Sequence, residues 1–428
     1  MALSNIPPKW TSDWFPQEFA VRKYIFDTWR TVCKKFWYQE YLWPLVENAA
    51  IRRAKSGEDI WWSELTLITD RTWKISDFAL RPEMTPTVTR MVSRIYMQES
   101  KPIRFFSIAN FYRNERPQRG RNREFRQLNI DLFGSQSSYA DLEVLQVGME
   151  IMLAFTPPKN SRIMYLNSRQ IIDYIIDEEV WLLTDKKTEI VRLMDKREKL
   201  EKDVFVGMLK DHWLDSRQID TIIRYLDIRD ISVLADAFPN IKNNLWYLDV
   251  FTIFSKLSAL WYGELFQFKW SLIRWFDYYD GVVFEVFDLH PDNRRAMFGG
   301  WRYNGLAEIF GSTAFPAVWF APGDEAMKLF LESRWMIDDI IKKQHQETYY
   351  IPMLEEEYYD NYCILAQKLR NDGYLVEQWL DIQWVGKALQ YANKKEIAYV
   401  VLLGKEEMNN KQYKIKNMKT GEEKTMDL

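Results

Sequence analysis

Glycine is scarce in this chain. It occurs 16 times in 428 residues, roughly half the usual ~7%, and tryptophan, normally the rarest residue, outnumbers it at 19. Cysteine is nearly absent: Cys33 and Cys363 lie far apart with no Cys or His at metal-binding spacing. That excludes a disulfide framework and a thiolate zinc site, and it fits a reducing cytoplasm. The three histidines, His212, His290 and His345, are scattered and read as surface or loop residues. No apolar run approaches the ~20 residues that cross a bilayer, and "MALSNIPPKW" lacks the apolar core of a signal peptide. A soluble, cytoplasmic protein without a membrane partner is expected. With 58 basic and 61 acidic residues, the net charge of -3 excludes little.

What is present is a mixed pattern. Phe19, Ile25, Trp29, Val32 and Phe36 recur at mostly three- and four-residue intervals, which predicts an amphipathic helix over 19–36. "YQEYLWPLVEN" follows as an extended segment. Strands are predicted at 103–114 and 123–134, joined by the basic loop "ERPQRGRNRE", with a helix at 140–155. Between 160 and 255 the chain is helical and charged, with Ile190, Leu193, Leu200, Val204 and Met208 on one predicted face. Strand character resumes at 274–288 and runs through "GGWRYNG" to "PAVWFAPGD". The last 80 or so residues alternate strand and helix and close with a hairpin, the pattern of a compact α/β domain.

The hairpin carries the chemistry. Period-two alternation in "REFRQLNIDLFG" puts Phe125, Gln127, Asn129 and Asp131 on one face and Leu128, Ile130 and Leu132 on the other. Arg113 and Glu115 share a face of the preceding strand, and the loop adds Arg116, Arg119, Arg121 and Arg123. Guanidinium groups bind phosphate oxygens in a bidentate, charge-assisted way, and a ring such as Phe125 can stack on a base. A solvated hairpin with a basic tip would show the same spacing, so the residues alone leave both readings open.

"SIANFYRNERPQRGRNREFRQLNIDLFG" resembles motif 2 of class II aminoacyl-tRNA synthetases, and its "RPQRGR" loop resembles that of the histidyl-tRNA synthetases. "ALRPEMTPTVTRM" is similar to the strand and helix start preceding that motif. "RWFDYYDGVVFE" is similar to the family's histidine signature, and "GGWRYNGLAEIFG" with "PAVWFAPGD" to its glycine-rich strand and motif 3. "KWTSDWFP" resembles the family's opening, and the long N-terminal helix with the strand to Pro44 resembles motif 1.

The resemblance implies an α+β fold: a class II antiparallel sheet flanked by helices, with a helical insertion and a C-terminal α/β anticodon-binding domain. The implied boundaries are 1–158 and 256–335 for the two catalytic parts, 159–255 for the insertion and 346–428 for the anticodon domain. It also implies roles. Glu83 would meet the histidine ammonium with Thr85 beside it, Gln127 and Asp131 would line the amino-acid pocket, and Tyr278 and Tyr279 would surround the imidazole. Arg113 and Arg274 would hold the α-phosphate of ATP, Glu115 the adenine amino group and Arg121 the outer phosphates, with Phe125 stacked on adenine. Gln118 and Arg119 would approach the tRNA acceptor end. ATP with Mg2+, L-histidine, tRNA(His) and a second copy of the chain are the implied partners, and no metal ligands are assigned. Two other readings stand beside this one: a non-catalytic regulatory subunit of ATP phosphoribosyltransferase, and a synthetase-like scaffold with a blocked site.

The pattern breaks in two places. Motif 3 usually carries an arginine that holds the γ-phosphate; "PGDEAMKL" has Ala326 there and Lys328 nearby. Moreover, Trp10, Trp37, Trp73, Trp213, Trp275, Trp301, Trp319 and Trp335 stand where the family, or a helix-ending turn, calls for glycine, and Trp43, Trp61, Trp62 and Trp261 are weaker cases. Exchanging all twelve would bring glycine near its usual ~7%. Decay of an active site would strike Arg113, Glu83 and Gln127 as readily. The selective pattern therefore points to UGA codons that encode glycine and are read here as tryptophan. Indoles at 301 and 319 are expected to crowd the site and to strain or displace the strands that carry them, whereas Trp14 and Trp29 sit where an aromatic can pack.

Overall fold

A computed structural model describes residues 4–51, 65–114, 116, 118–182, 184–197, 200–272, 281–293, 295–344 and 348–428. The chain forms two compact units, Met1–Arg334 and Trp335–Leu428.

The first unit begins with helix α1 (Pro16–Lys35), started by Pro16 and by a bond from Phe15 N to the Glu18 carboxylate at 3.2 Å. Its apolar stripe of Val21, Ile25, Trp29 and Val32 is buried, as the spacing predicts. The strands of this unit are β1 (Gln39–Glu40), β2 (Val46–Asn48), β3 (Leu67–Thr69), β4 (Ile75–Leu80), β5 (Ile103–Tyr112), β6 (Glu124–Phe133), β7 (Arg162–Ser168), β8 (Phe266–Phe268), β9 (Val282–Asp288), β10 (Ala296–Tyr303) and β11 (Ala317–Phe320). Eight of them make the main sheet in the order β1-β5-β6-β11-β10-β9-β7-β8, and β2-β4-β3 form a small antiparallel sheet. Only the outer pairs β1–β5 and β7–β8 are parallel.

Helix α2 (Thr85–Ile95) precedes β5, and α3 (Ser138–Ala154) follows β6. Leu142, Val144, Leu145, Val147, Met149, Ile151 and Met152 leave α3 buried almost all round, because it is packed by β11 and α1 among others. Such a helix shows little amphipathic contrast. Between β7 and β8 come α4 (Thr184–Asp195), α5 (Lys202–Asp211), α6 (Ser216–Leu226), α7 (Ile231–Ala237) and α8 (Leu245–Ala259).

The predicted single stripe across 190–208 does not hold. Ile190 and Leu193 are buried on α4, but Val204 and Met208 are exposed, and Phe205 and Leu209 turn inward on α5. The helix breaks between Asp195 and Lys202, which resets the rotational phase that a continuous period assumes.

Helix α9 (Asp324–Glu332) follows β11. The second unit holds β12 (Thr348–Met353), α10 (Tyr359–Asn371), β13 (Leu375–Ile382), α11 (Val385–Lys394), β14 (Tyr399–Leu402), β15 (Gln412–Asn417) and β16 (Glu423–Asp427). Its sheet order is β13-β12-β14-β15-β16, parallel in the first three strands and antiparallel in the closing hairpin.

Backbone torsions set the tryptophans apart. Among the described residues, eleven that are not glycine have positive φ, and seven of these are Trp10, Trp37, Trp73, Trp181, Trp213, Trp261 and Trp335, with φ between 57° and 72°. A β-carbon in that region meets the following carbonyl oxygen, at a cost of roughly 1–2 kcal/mol. Three of them close helices with one hydrogen-bond pattern. Trp37 N donates to Lys34 O and Tyr38 N to Cys33 O; Trp213 N to Lys210 O and Leu214 N to Leu209 O; Trp261 N to Ser258 O and Tyr262 N to Leu257 O. Gly373 closes α10 in the same way, through Arg370 O and, from Tyr374 N, Leu369 O. This is the paired-bond helix stop in which glycine is the usual residue.

The indoles gain little in return: Trp213 is 85% exposed and Trp261 95%. Replacing Trp213 and Trp261 by glycine is expected to stabilise the protein by about 1 kcal/mol each. The two should add, because each is a local torsion closing its own helix through its own bonds. A rise in the thermal unfolding midpoint checks this, and a fall would show that the indoles contribute packing.

Candidate active site

The site is built where α2, the β5–β6 hairpin and α9 meet. Arg81, buried before α2, donates from Nε to Asn110 O at 2.8 Å and from a terminal nitrogen to Trp43 O at 2.5 Å. It thereby pins the strand end to β5 through backbone carbonyls. At the next residue, Pro82 O accepts from Arg113 Nε at 2.8 Å, which ties Arg113 to the backbone just before Glu83. The Arg113 guanidinium lies 5.1 Å from the centre of the Phe125 ring, and Phe125 stacks on Phe111 at 5.8 Å. Gln127 donates to Ala321 O at 3.3 Å and pairs with Gly323. Thus Arg113, Phe125 and Gln127 line one cavity, and Glu83 follows the Pro82 carbonyl that holds Arg113.

The loop tip is a tight turn closed by Gln118 and Arg121. Gly120 at its corner has φ +78°, and an added Cβ would meet Leu329 Cδ1 at 2.9 Å, so the turn rests on α9. Cavities open around it. One of about 160 Å³ is lined by Arg113, Phe125 and Gln127. A second of about 450 Å³ is lined by Gln118, Arg119 and Asp292. A third of about 560 Å³ is lined by Glu285 and Gly299. All three share Arg121, Ala296 and Met297.

Asp131 and Thr85 lie outside these cavities, 1% and 2% exposed. The polar face expected on β6 is covered from Asn129 onward, and the register shows by what. Phe105, Asp131, Trp319, Trp301 and Val283 form one row across five strands. The two indoles meet edge to face, with ring centres 4.4 Å apart at 81°, and pack on the cluster that holds Met84, Val88 and Tyr303. The strands themselves are not displaced at this point: β10 and β11 pair without a break from Gly300 to Tyr303. The indoles take up space on the face of the sheet and leave the ladder intact. Gly300 shows how close the strands run, since a Cβ there would lie 2.1 Å from Trp319 O. Trp319 Nε1 is buried with no hydrogen-bond partner, a costly state for a donor.

The profile described as "Histidyl-tRNA synthetase" matches residues 11–323, and "Anticodon binding domain" matches 344–428. The chain belongs to the histidyl-tRNA synthetase family. The Histidine--tRNA ligase of Leptospira biflexa is 32% identical over 411 residues, covering 96% of this chain and 92% of that protein. That of Thermococcus kodakarensis is 30% identical over 430 residues, covering 98% and 95%. In fold, the histidyl-tRNA synthetase of Nostoc sp. PCC 7120 is similar with a TM-score of 0.83 at 20% identity, over 100% of this chain and 97% of that one. The "ATP phosphoribosyltransferase regulatory subunit/histidyl-tRNA synthetase" of Bacillus halodurans C is similar with a TM-score of 0.75 at 18% identity, over 91% and 97%. The fold is that of the class II synthetases.

Four residues to which the family resemblance gives roles, Glu115, Arg274, Tyr278 and Tyr279, lie outside the described residues, as does Trp275. Other residues of the site carry no motif signal. Arg22 of α1, 3% exposed, donates to Asp324 at 2.7 Å and Glu325 at 2.6 Å, and Glu325 also accepts from Asn122 at 3.0 Å. Arg126 N donates to Asp324 at 3.1 Å. These bonds tie α1, the motif 2 loop and the start of α9 together. Burial pushes the Asp324 carboxyl up to about 6, against the pull of Arg22.

Arg302, inside the glycine-rich strand, turns away from the site. It donates to both oxygens of Asp141, the shorter at 2.6 Å, and to Ser135 O and Ser137 O. Its role is structural. Partners separated by 161 and 302 residues leave no local pattern to read. Among the described residues no group of three acidic, His or Cys side chains could hold a metal ion, and no helix is long and apolar enough to cross a membrane.

Proposed function

We propose that the protein is a histidine–tRNA ligase that activates histidine with Mg-ATP and transfers it to tRNA(His). The observation that carries this reading is the cavity shared by Arg113, Phe125 and Gln127, with Arg113 held by the Pro82 carbonyl next to Glu83, in a chain whose family match includes the anticodon-binding domain. The histidine carboxylate is already ionised at neutral pH, so it needs no protein base to attack the α-phosphorus. What the site supplies is in-line placement and neutralisation of the phosphoryl oxygens. Arg113 would hold the α-phosphate opposite Arg274, Phe125 would stack on adenine with Glu115 at its amino group, and Arg121 would meet the outer phosphates. Glu83 and Thr85 would receive the histidine ammonium, Gln127, Asp131, Tyr278 and Tyr279 would line its pocket, and Gln118 and Arg119 would face the tRNA end.

Segments 1–158 and 256–335 would be catalytic, 159–255 the insertion and 346–428 the anticodon domain of a cytoplasmic homodimer. Exposed Leu42, Leu45, Val46, Ile75 and Phe78 around the small sheet suit the burial a dimer provides. Histidine-dependent exchange of pyrophosphate into ATP, followed by charging of tRNA(His), tests the activity. Histidine binding without exchange would instead favour the regulatory-subunit reading.

The same proposal includes the identity of certain tryptophans. Glycine, encoded by UGA, would stand in the natural polypeptide at Trp10, Trp37, Trp73, Trp213, Trp261 and Trp335, all at positive φ, and at Trp301 and Trp319 in the site. Trp181, at φ 57° and 68% exposed, joins them on torsion alone. Trp43 has no such torsion and packs under Arg90, whose guanidinium lies 4.0 Å above its ring. Trp61, Trp62 and Trp275 fall outside the described residues. Mass spectrometry of the native protein decides the matter: tryptophan in the peptides spanning 213, 261 or 301 would refute it.

A further inference from the structure

The missing motif 3 arginine leaves a gap that the structure lets one trace. Ala326, in the first turn of α9, borders both the cavity that holds Arg113 and Phe125 and the adjoining one of about 450 Å³. A nucleotide whose α-phosphate sits at Arg113 and whose base lies on Phe125 has this larger cavity as its outlet. It is lined by the loop tip with Arg119 and Arg121 and by the segment leading into β10, where the exposed Arg295 stands. Arg295 and Arg121 also both line the third cavity. Lys328, the nearest cation in sequence, lines none of the three.

Charge around this cavity favours an anion. Asp288 is held by Arg334 and by Asn293, the latter at 2.6 Å, which leaves Asp292 as an exposed acid at the rim. Three guanidinium groups therefore surround a cavity whose small Ala326 side leaves room for phosphate. A planar fork suits two phosphate oxygens better than an ammonium does.

We propose that Arg295 takes over the work of the absent motif 3 arginine and binds the terminal phosphates of ATP, and the pyrophosphate that leaves; this rests on the ligase reading above. A cation entering from β10 instead of α9 would reach the same phosphates within the cavity.

The test is histidine-dependent ATP–pyrophosphate exchange with the full chain. R295A should raise KM for ATP and for pyrophosphate about tenfold or more, the equivalent of one charge-assisted hydrogen bond, and leave KM for histidine unchanged. R295K should fall between parent and R295A, because a point charge replaces the fork. Adding A326R to R295A should recover at least half of the loss on a logarithmic scale. Unchanged KM values in R295A, or an equal rise in all three, would overturn the proposal while the ligase reading stands. A parent protein without any exchange would overturn the ligase reading and this proposal with it.

Discussion

Protein made with glycine at 301 and 319 is expected to exchange pyrophosphate into ATP, in the presence of histidine, at least about a hundredfold faster than protein with tryptophan at both positions. The reason lies in the cross-strand row. Asp131, proposed to line the histidine pocket, has Trp319 directly opposite it on the neighbouring strand, and Trp301 stands next beyond. The two indoles share an edge-to-face contact at 4.4 Å, so removing one leaves the other free to lean into the vacated space. Single W301G and W319G variants should therefore recover less than the double variant. The ladder between β10 and β11 is already in register, so the gain comes from opened space and not from refolding. Equal rates for the two proteins would mean that histidine binds elsewhere.

The largest expected loss of stability follows D141A, at about 3–5 kcal/mol. Asp141 is 3% exposed and receives two guanidinium nitrogens of Arg302, which also donates to Ser135 O and Ser137 O. Burial raises the Asp141 carboxyl, and Arg302 opposes that rise. Removing the carboxylate strands a guanidinium in the interior, and that desolvated charge, more than the lost bond, sets the magnitude. D141L with R302M, which removes both charges, should regain much of the loss. Urea unfolding midpoints for the three proteins measure both effects. A D141A cost below about 1 kcal/mol, the range of exposed pairs, would mean that water reaches Arg302.

Local signals carried much of this architecture. The α1 stripe, the β5–β6 hairpin and the strand–helix alternation after residue 348 follow from periods of 3.6 and 2 that a short window can hold. The grouping of the cavity residues was legible for a related reason: Arg113, Arg121, Phe125 and Gln127, which line one cavity, lie within fifteen consecutive positions on one hairpin. What local reading missed depends on distance or on phase. Arg22 looks like a charge on an apolar helix until Asp324 and Glu325 arrive from 302 and 303 residues away. The face of α5 was misassigned because a break between two helices is silent in a period. Asn129 and Asp131 were expected on an open face, whereas a neighbouring strand supplies the indole that closes it.

The helix stops at Trp37, Trp213 and Trp261 have one further consequence. Each repeats, bond for bond, the closure that Gly373 makes, and Trp29 by contrast sits fully buried inside a regular helix. The torsion angles thus sort one letter of the sequence into two populations, one in regular backbone and one in the left-handed region that favours glycine. If the proposal above holds, the gene should carry UGA at the left-handed tryptophans and UGG at Trp29, and sequencing those codons checks it.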